Sequence, residues 1–170
     1  LSRKRRQFYR KHTKKVLGAI AAVILVLTAP YTLSGGVRVI DGDTIHVDDA
    51  KIRLWGIDAP ELSQTCERDG RQYACGQEAR AFLAALVKKE GLSCAPADTD
   101  TYGRIVARCK IGETDIARAM VQAGWAMDYS RYSQAFYLPA QMEAKKDRVG
   151  IWAGTFENPQ KFRHSQKAPR

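Results

Sequence analysis

Four carboxylates stand in two pairs: Asp41 and Asp43 around Gly42, Asp58 and Glu61 around Ala59-Pro60. Oxygen donors without nitrogen or sulfur suit a hard cation, Ca²⁺ or Mg²⁺. Taken singly, each acid also reads as a turn residue, because Asp-Gly turns are common. Arg53 lies between the two pairs, flanked by Ile52 and Leu54. In a strand its side chain would point to the face opposite theirs. An arginine facing the inside of a small barrel needs an anion or a carboxylate. Spacing alone leaves both readings, metal site and pair of turns, open.

Other chemistries lack their residues. The chain has no G-x-S-x-G, GxGxxG, P-loop or H-E-x-x-H. His12, His46 and His164 are scattered, and His46 reads as an outward strand residue. The cysteines, Cys66, Cys75, Cys94 and Cys109, form no C-x-x-C pair and lack zinc spacing.

The elements that must position the acids follow from local pattern. Val37–Ile40, Thr44–Val47 and Lys51–Trp55 are rich in β-branched or aromatic residues. Asp41-Gly42-Asp43 and Asp48-Asp49-Ala50 separate them as turns, which predicts a three-stranded meander. Gly56–Gly76 is irregular. A helix is expected over Gln77–Glu90, closed by Gly91. Leu92–Ala95 and Ile105–Ile111 read as a hairpin with its tip at Pro96–Gly103, which would set Cys94 opposite Cys109. A short helix over Asp115–Ala123 follows, capped by Thr114 or Asp115 and stopped by Gly124. A third helical stretch, Ser133–Arg148, contains Pro139, so it should start late or kink. From Asn158 the chain is polar and is expected to be loose. Five short strands and three helices predict a small barrel of the OB type.

Three blocks carry a resemblance. They are Val39-Ile40-Asp41-Gly42-Asp43-Thr44, Arg53-Leu54-Trp55-Gly56-Ile57-Asp58-Ala59-Pro60-Glu61 and Asp100-Thr101-Tyr102-Gly103-Arg104. In order and spacing they resemble the staphylococcal nuclease (thermonuclease) family. The similarity continues through Met120–Ala126 and Gly150–Gly154, covering roughly residues 37–156. Any one block would be a weak signal; together they are specific.

The resemblance implies a five-stranded OB barrel with three helices. It also implies a phosphodiesterase using one Ca²⁺ ion on DNA and RNA, leaving 3′-phosphates and 5′-hydroxyls. By this resemblance Asp43 and Asp58 correspond to the metal-ligating carboxylates, and the backbone carbonyl of Ala59 to a further ligand. Glu61 corresponds to the acid that positions or deprotonates water. Arg53 and Arg104 correspond to the arginines on the scissile phosphate, Asp41 to an acid behind the metal, and Tyr102 to a residue beside the nucleotide. Ala59 stands where a hydroxyl is frequent, and Thr101 brings no positive charge where some relatives have lysine. Substrate binding would then lean on Arg68, Arg71 or Arg131, with Tyr129 and Tyr132 as candidates for base stacking.

Composition sharpens the partner question. The 170 residues carry a formal charge of +10, which invites a nucleic-acid reading. Residues 1–15 hold eight basic groups and residues 161–170 four, neither with an acid. Residues 31–160 hold 16 basic groups against all 18 acids, a net of −2. The basicity belongs to the ends. After the first run, Val16–Ala29 is apolar except for Gly18 and Thr28, and the stretch could continue to Leu33. This is the pattern of an export signal or a membrane anchor. It predicts a body outside the cytoplasm, secreted, periplasmic or tethered. An even cysteine number then reads as disulfides. Three pairings are open; Cys66–Cys75 and Cys94–Cys109 are favoured, since each brackets one turn-rich segment.

The expected organisation is a basic segment 1–15, an apolar segment 16–33, a linker 34–36, a monomeric nuclease domain 37–157 and a basic tail 158–170. The rival is a membrane-tethered OB module that binds nucleic acid or another polyanion without cutting it. The net charge of −2 argues against tight binding by the body unaided.

Overall fold

The computed structural model describes residues 36–88 and 91–167. The expected export or anchor segment lies outside them. Among the described residues no helix is long and apolar enough to cross a membrane.

The meander forms as its pattern requires. Strands β1 (Val37–Val39), β2 (Thr44–Val47) and β3 (Ala50–Leu54) pair antiparallel, with Thr44 opposite Arg53. Ile45, Val47, Ile52 and Leu54 are buried. Full burial of such side chains contributes roughly 1.5–3 kcal/mol each. After the two-residue strand β4 (Ile57–Asp58) comes a hairpin, β5 (Cys66–Arg68) and β6 (Arg71–Tyr73). Helix α1 (Cys75–Val87) buries Ala79, Leu83 and Val87 on one face.

Strands β7 (Leu92–Thr99) and β8 (Ile105–Ile111) form the second long hairpin, and β9 (Thr114–Asp115) returns along β8. Strand β7 runs four residues further than Leu92–Ala95. Its register shifts between Pro96 and Asp98, a bulge that lets the ladder pass a residue lacking an N–H. Strand β8 pairs parallel with β3, Ile52 against Ile105. The main sheet therefore runs β1-β2-β3-β8-β7. One parallel pair among antiparallel ones is the order expected of a partly open, five-stranded OB fold.

Helix α2 (Ile116–Gln122) is capped by Asp115, whose Oδ1 accepts from the Arg118 N–H at 3.0 Å. Asp115 Oδ2 also accepts from the hydroxyl of the fully buried Tyr137 at 3.0 Å. Strand β10 (Met127–Asp128) pairs with β4, Met127 opposite Asp58. The stretch around Pro139 splits into a single turn, α3 (Ser130–Ser133), and a helix that starts late, α4 (Leu138–Lys146). Gly150–Ala153 forms a 3₁₀ turn. The polar C-terminal stretch forms a helix, α5 (Pro159–Lys167).

Both favoured disulfides are present, Cys66–Cys75 and Cys94–Cys109. The second joins directly opposite residues of β7 and β8. No free cysteine remains.

Candidate active site

The β1–β2 turn carries the first acid pair. The Asp43 N–H donates to Asp41 Oδ1 at 3.0 Å, which folds the turn on itself. Gly42 is required by crowding: a Cβ there would lie 2.6 Å from the Ala59 Cβ and 3.0 Å from that of Ala79. The glycine thus lets the first acid turn press against the second turn and helix α1. Asp43 Oδ2 accepts from the Ala59 N–H at 3.1 Å, which ties the two turns together.

Arg53 projects from β3 into this junction, as the alternation with Ile52 and Leu54 demands. Its Nη1 donates to Asp43 Oδ1 at 2.7 Å and its Nη2 to Asp58 Oδ1 at 2.9 Å. The Arg53 side chain is 16% exposed and both carboxylates are 6% exposed. Burial works against the guanidinium charge, but Asp43 and Asp58 outweigh it and raise the Arg53 pKa. Burial also raises the Asp58 pKa, against hydrogen bonding from Arg163 and the nearby guanidinium charges. Asp41 is pushed up to about 6, chiefly by burial and then by the charge of Asp43.

Glu61 follows β4 on a turn held from behind. Gln64 is fully buried; its Oε1 accepts from the Glu61 N–H at 3.2 Å and its Nε2 donates to the Glu157 carbonyl at 2.6 Å. The Gly76 N–H donates to the Gln64 carbonyl at 3.2 Å. A Cβ on Gly76 would lie 1.8 Å from the Glu61 carbonyl oxygen. The sequence reading missed both residues. Their available signal was a glycine directly after Cys75 in a helix that would otherwise prefer alanine.

Arg104 joins from the β7–β8 connection. Its Nε donates to Asp100 Oδ2 at 2.7 Å and its Nη1 to Thr44 Oγ1 at 3.2 Å. The Thr44 hydroxyl donates in turn to Asp43 Oδ1 at 3.1 Å. A chain of contacts therefore links Arg104 to Arg53 through Thr44 and Asp43. Burial would raise the Asp100 pKa, but hydrogen bonds from the Arg104 backbone and side chain and from the Tyr102 N–H lower it. Tyr102 is 71% exposed, with the Arg104 guanidinium 5.6 Å from its ring centre.

The other expected substrate contacts lie on β5–β6 and after β10. Tyr129 follows β10, its N–H donating to the Gly56 carbonyl, and its ring packs edge-on against Tyr132 at 4.8 Å. The Arg131 guanidinium lies over Tyr132, and that of Arg68 over Tyr73 on the β5–β6 hairpin. Arg71 is exposed on the same hairpin.

The C-terminal helix brings a residue to which the sequence reading gave no role. Arg163 Nη1 donates to Glu61 Oε1 at 2.6 Å, and Nη2 lies 2.9 Å from both oxygens of Asp58. Among the described residues no three acidic, histidine or cysteine side chains converge as a ready-made metal cage. The donor chemistry nevertheless fits a hard cation. Asp41, Asp43 and Asp58 offer oxygen only, Asp43 repels both Asp41 and Asp58, and Asp41 forms no ion pair among the described residues. A divalent ion would relieve that repulsion.

Comparison with known proteins gives the family. The family model described as "Staphylococcal nuclease homologue" matches residues 51–154, more than half of the chain. That range includes Arg53, Asp58, Glu61 and Arg104; Asp41 and Asp43 precede it and Arg163 follows it. The chain is 33% identical over 144 residues to "Succinoglycan biosynthesis protein ExoI" of Rhizobium meliloti (strain 1021), covering 81% of this chain and 75% of that protein. It is 30% identical over 167 residues to "Micrococcal nuclease" of Shigella flexneri, covering 86% and 91%. It is 31% identical over 164 residues to an "Uncharacterized endonuclease" of Haemophilus influenzae, covering 91% and 87%.

Proposed function

The chain belongs to the staphylococcal nuclease family, and on that premise we propose a calcium-dependent phosphodiesterase that cuts DNA and RNA with low sequence specificity, leaving 3′-phosphates. One observation carries the reading. Arg53 bridges two buried carboxylates from separate turns, Asp43 at 2.7 Å and Asp58 at 2.9 Å, with Glu61 three residues beyond.

In this proposal Asp43, Asp58 and the Ala59 carbonyl hold one calcium ion, with Asp41 behind them. When bound, the ion supplies positive charge against the phosphodiester and its transition state. Arg53 and Arg104 turn their paired N–H donors to the phosphate oxygens. Glu61 takes a proton from the attacking water. The water oxygen bonds to phosphorus, the bond to the 5′-oxygen breaks, and that oxygen takes a proton from solvent water to leave as a hydroxyl. The rigid turn around Pro60 limits the ordering cost of this arrangement.

We also place the domain outside the cytoplasm. The two disulfides and the basic-then-apolar N-terminal sequence support this. The test incubates the protein with plasmid DNA, or with RNA, under a calcium titration. Cleavage that EGTA abolishes is expected. Full activity in EGTA would remove the calcium role, and binding without cleavage would favour the tethered binding module.

A further inference from the structure

Helix α5 is short and polar, yet it is firmly seated. The Asn158 side chain caps it, Oδ1 accepting from the Gln160 N–H at 2.9 Å. Pro159 is buried. The residue before the cap, Glu157, is held through its carbonyl by Gln64, the same residue that holds Glu61. Helix and acid turn therefore share one buried anchor. From this seat Arg163 reaches the acids with its guanidinium fork, one nitrogen on Glu61 and the other on Asp58.

This is not an ordinary surface pair. Asp58 is 6% exposed and already pairs with Arg53 through Oδ1, which Arg163 also contacts. Arg163 engages both Asp58 oxygens, which a cation would need, and the Glu61 oxygen, which a water would need. A guanidinium and a divalent ion both supply positive charge to one carboxylate, and two such charges in one small site repel.

We propose that α5 is a self-inhibitory strap: Arg163 occupies the Asp58 oxygens that the cation needs and the Glu61 oxygen that the water needs, and calcium must displace it. The proposal rests on the calcium reading given above. The strap has the advantage of tethering, because a side chain on the same chain competes at high effective concentration. Its release exposes Glu61 and uncovers Asp58 Oδ2 together, so one event supplies both a ligand oxygen for the ion and the proton acceptor. Apparent calcium affinity is then reduced by the fraction of molecules with the strap closed.

Calorimetric titration of calcium into the full chain, without nucleic acid, tests this. R163Q should bind calcium about tenfold or more tightly than the parent, the factor expected if the strap is closed in about nine molecules of ten. R163K, which pairs with one carboxylate at a time, should fall between the two and guards against a folding defect in R163Q. Equal or weaker binding by R163Q, with calcium still bound by the parent, overturns the strap and leaves the calcium reading standing. Absence of binding by parent and both variants overturns the calcium reading and the strap with it.

Discussion

The backbone of Gly76 lies so close to Glu61 that a single methyl group cannot fit between them. A Cβ would meet the Glu61 carbonyl oxygen at 1.8 Å and the carbonyl of Leu62 at 3.0 Å. G76A should therefore destabilise the fold, by about 1–3 kcal/mol as overpacking does. This outweighs the gain of roughly 1 kcal/mol that alanine normally brings to a helix. Thermal unfolding checks the sign: a rise in Tm would refute the close approach. Turnover should fall too, since the displaced backbone belongs to Glu61.

The role proposed for Glu61 can be separated from its part in stability. E61Q should lower turnover roughly 10²–10⁴-fold, the range for loss of a positioned proton acceptor. Its partner Arg163 is partly exposed, so the lost ion pair should cost about 0–1 kcal/mol. Single-turnover cleavage of a labelled oligonucleotide at saturating calcium measures the first effect. Near-normal rates in E61Q would end the assignment.

Arg53 is different, because its removal strands the buried charge of Asp43 and leaves Asp58 with Arg163 alone. R53M should cost about 3–5 kcal/mol in EGTA, as does breaking a buried pair by deleting one partner. Added calcium should recover part of this by neutralising Asp43 and Asp58. Urea unfolding with and without calcium reads both effects, and a variant as stable as the parent in EGTA would contradict the ion-pair geometry.

Asp41 sets a pH dependence. Its folded pKa of about 6 lies above the ordinary 3.8, so the fold prefers the protonated acid. Its favourable contribution is complete below about pH 4 and is lost as pH rises through 6. In EGTA, D41N should be more stable than the parent by on the order of 2 kcal/mol above pH 7. The difference should vanish near pH 3. A stabilisation independent of pH would point to packing instead.

The disulfides should differ in what they protect. Removing Cys94–Cys109, which closes a 15-residue separation, should cost roughly 2–3 kcal/mol while sparing activity. Removing Cys66–Cys75 should reduce turnover at temperatures where the fold persists. Cys75 adjoins Gly76, and the loop that it closes contains Asp69-Gly70 and the hairpin bonded to Thr155. Equal activity in both double-serine variants would sink this distinction.

Much of this molecule was legible as sequence. The meander, α1 and the long hairpin follow from β-branched runs, helical spacing and the opposition of Cys94 and Cys109. Asp43, Arg53, Asp58 and Arg104 could be named because three blocks together resemble the staphylococcal nuclease family; spacing alone leaves the acids open as turn residues. The β5–β6 hairpin could not, since Cys66-Glu67-Arg68 and Arg71-Gln72-Tyr73 are mostly exposed and show no apolar alternation. Gln64 and Gly76 act through backbone contacts that leave no pattern. Arg163 belongs to a polar stretch whose composition suggests a loose tail. Its order comes from a cap, a buried proline and two distant carboxylates, none of which local propensity reports.

The parallel ladder of β3 and β8 has a consequence for the order of assembly. The partners of Arg53 lie within residues 43–58, so that trio can form from a single contiguous meander as the chain emerges. Ile52 meets Ile105 only across the intervening β4, β5, β6, α1 and β7, and such non-local pairing is slow. Mutational probing of refolding rates would test the sequence, with substitutions in β2 and β3 slowing folding more than those at the β3–β8 seam. Arg104 reaches Thr44 only once that seam has zipped, and Arg163 follows from α5. The acids are thus gathered first and receive their counter-charges one at a time, in the order in which they are synthesised.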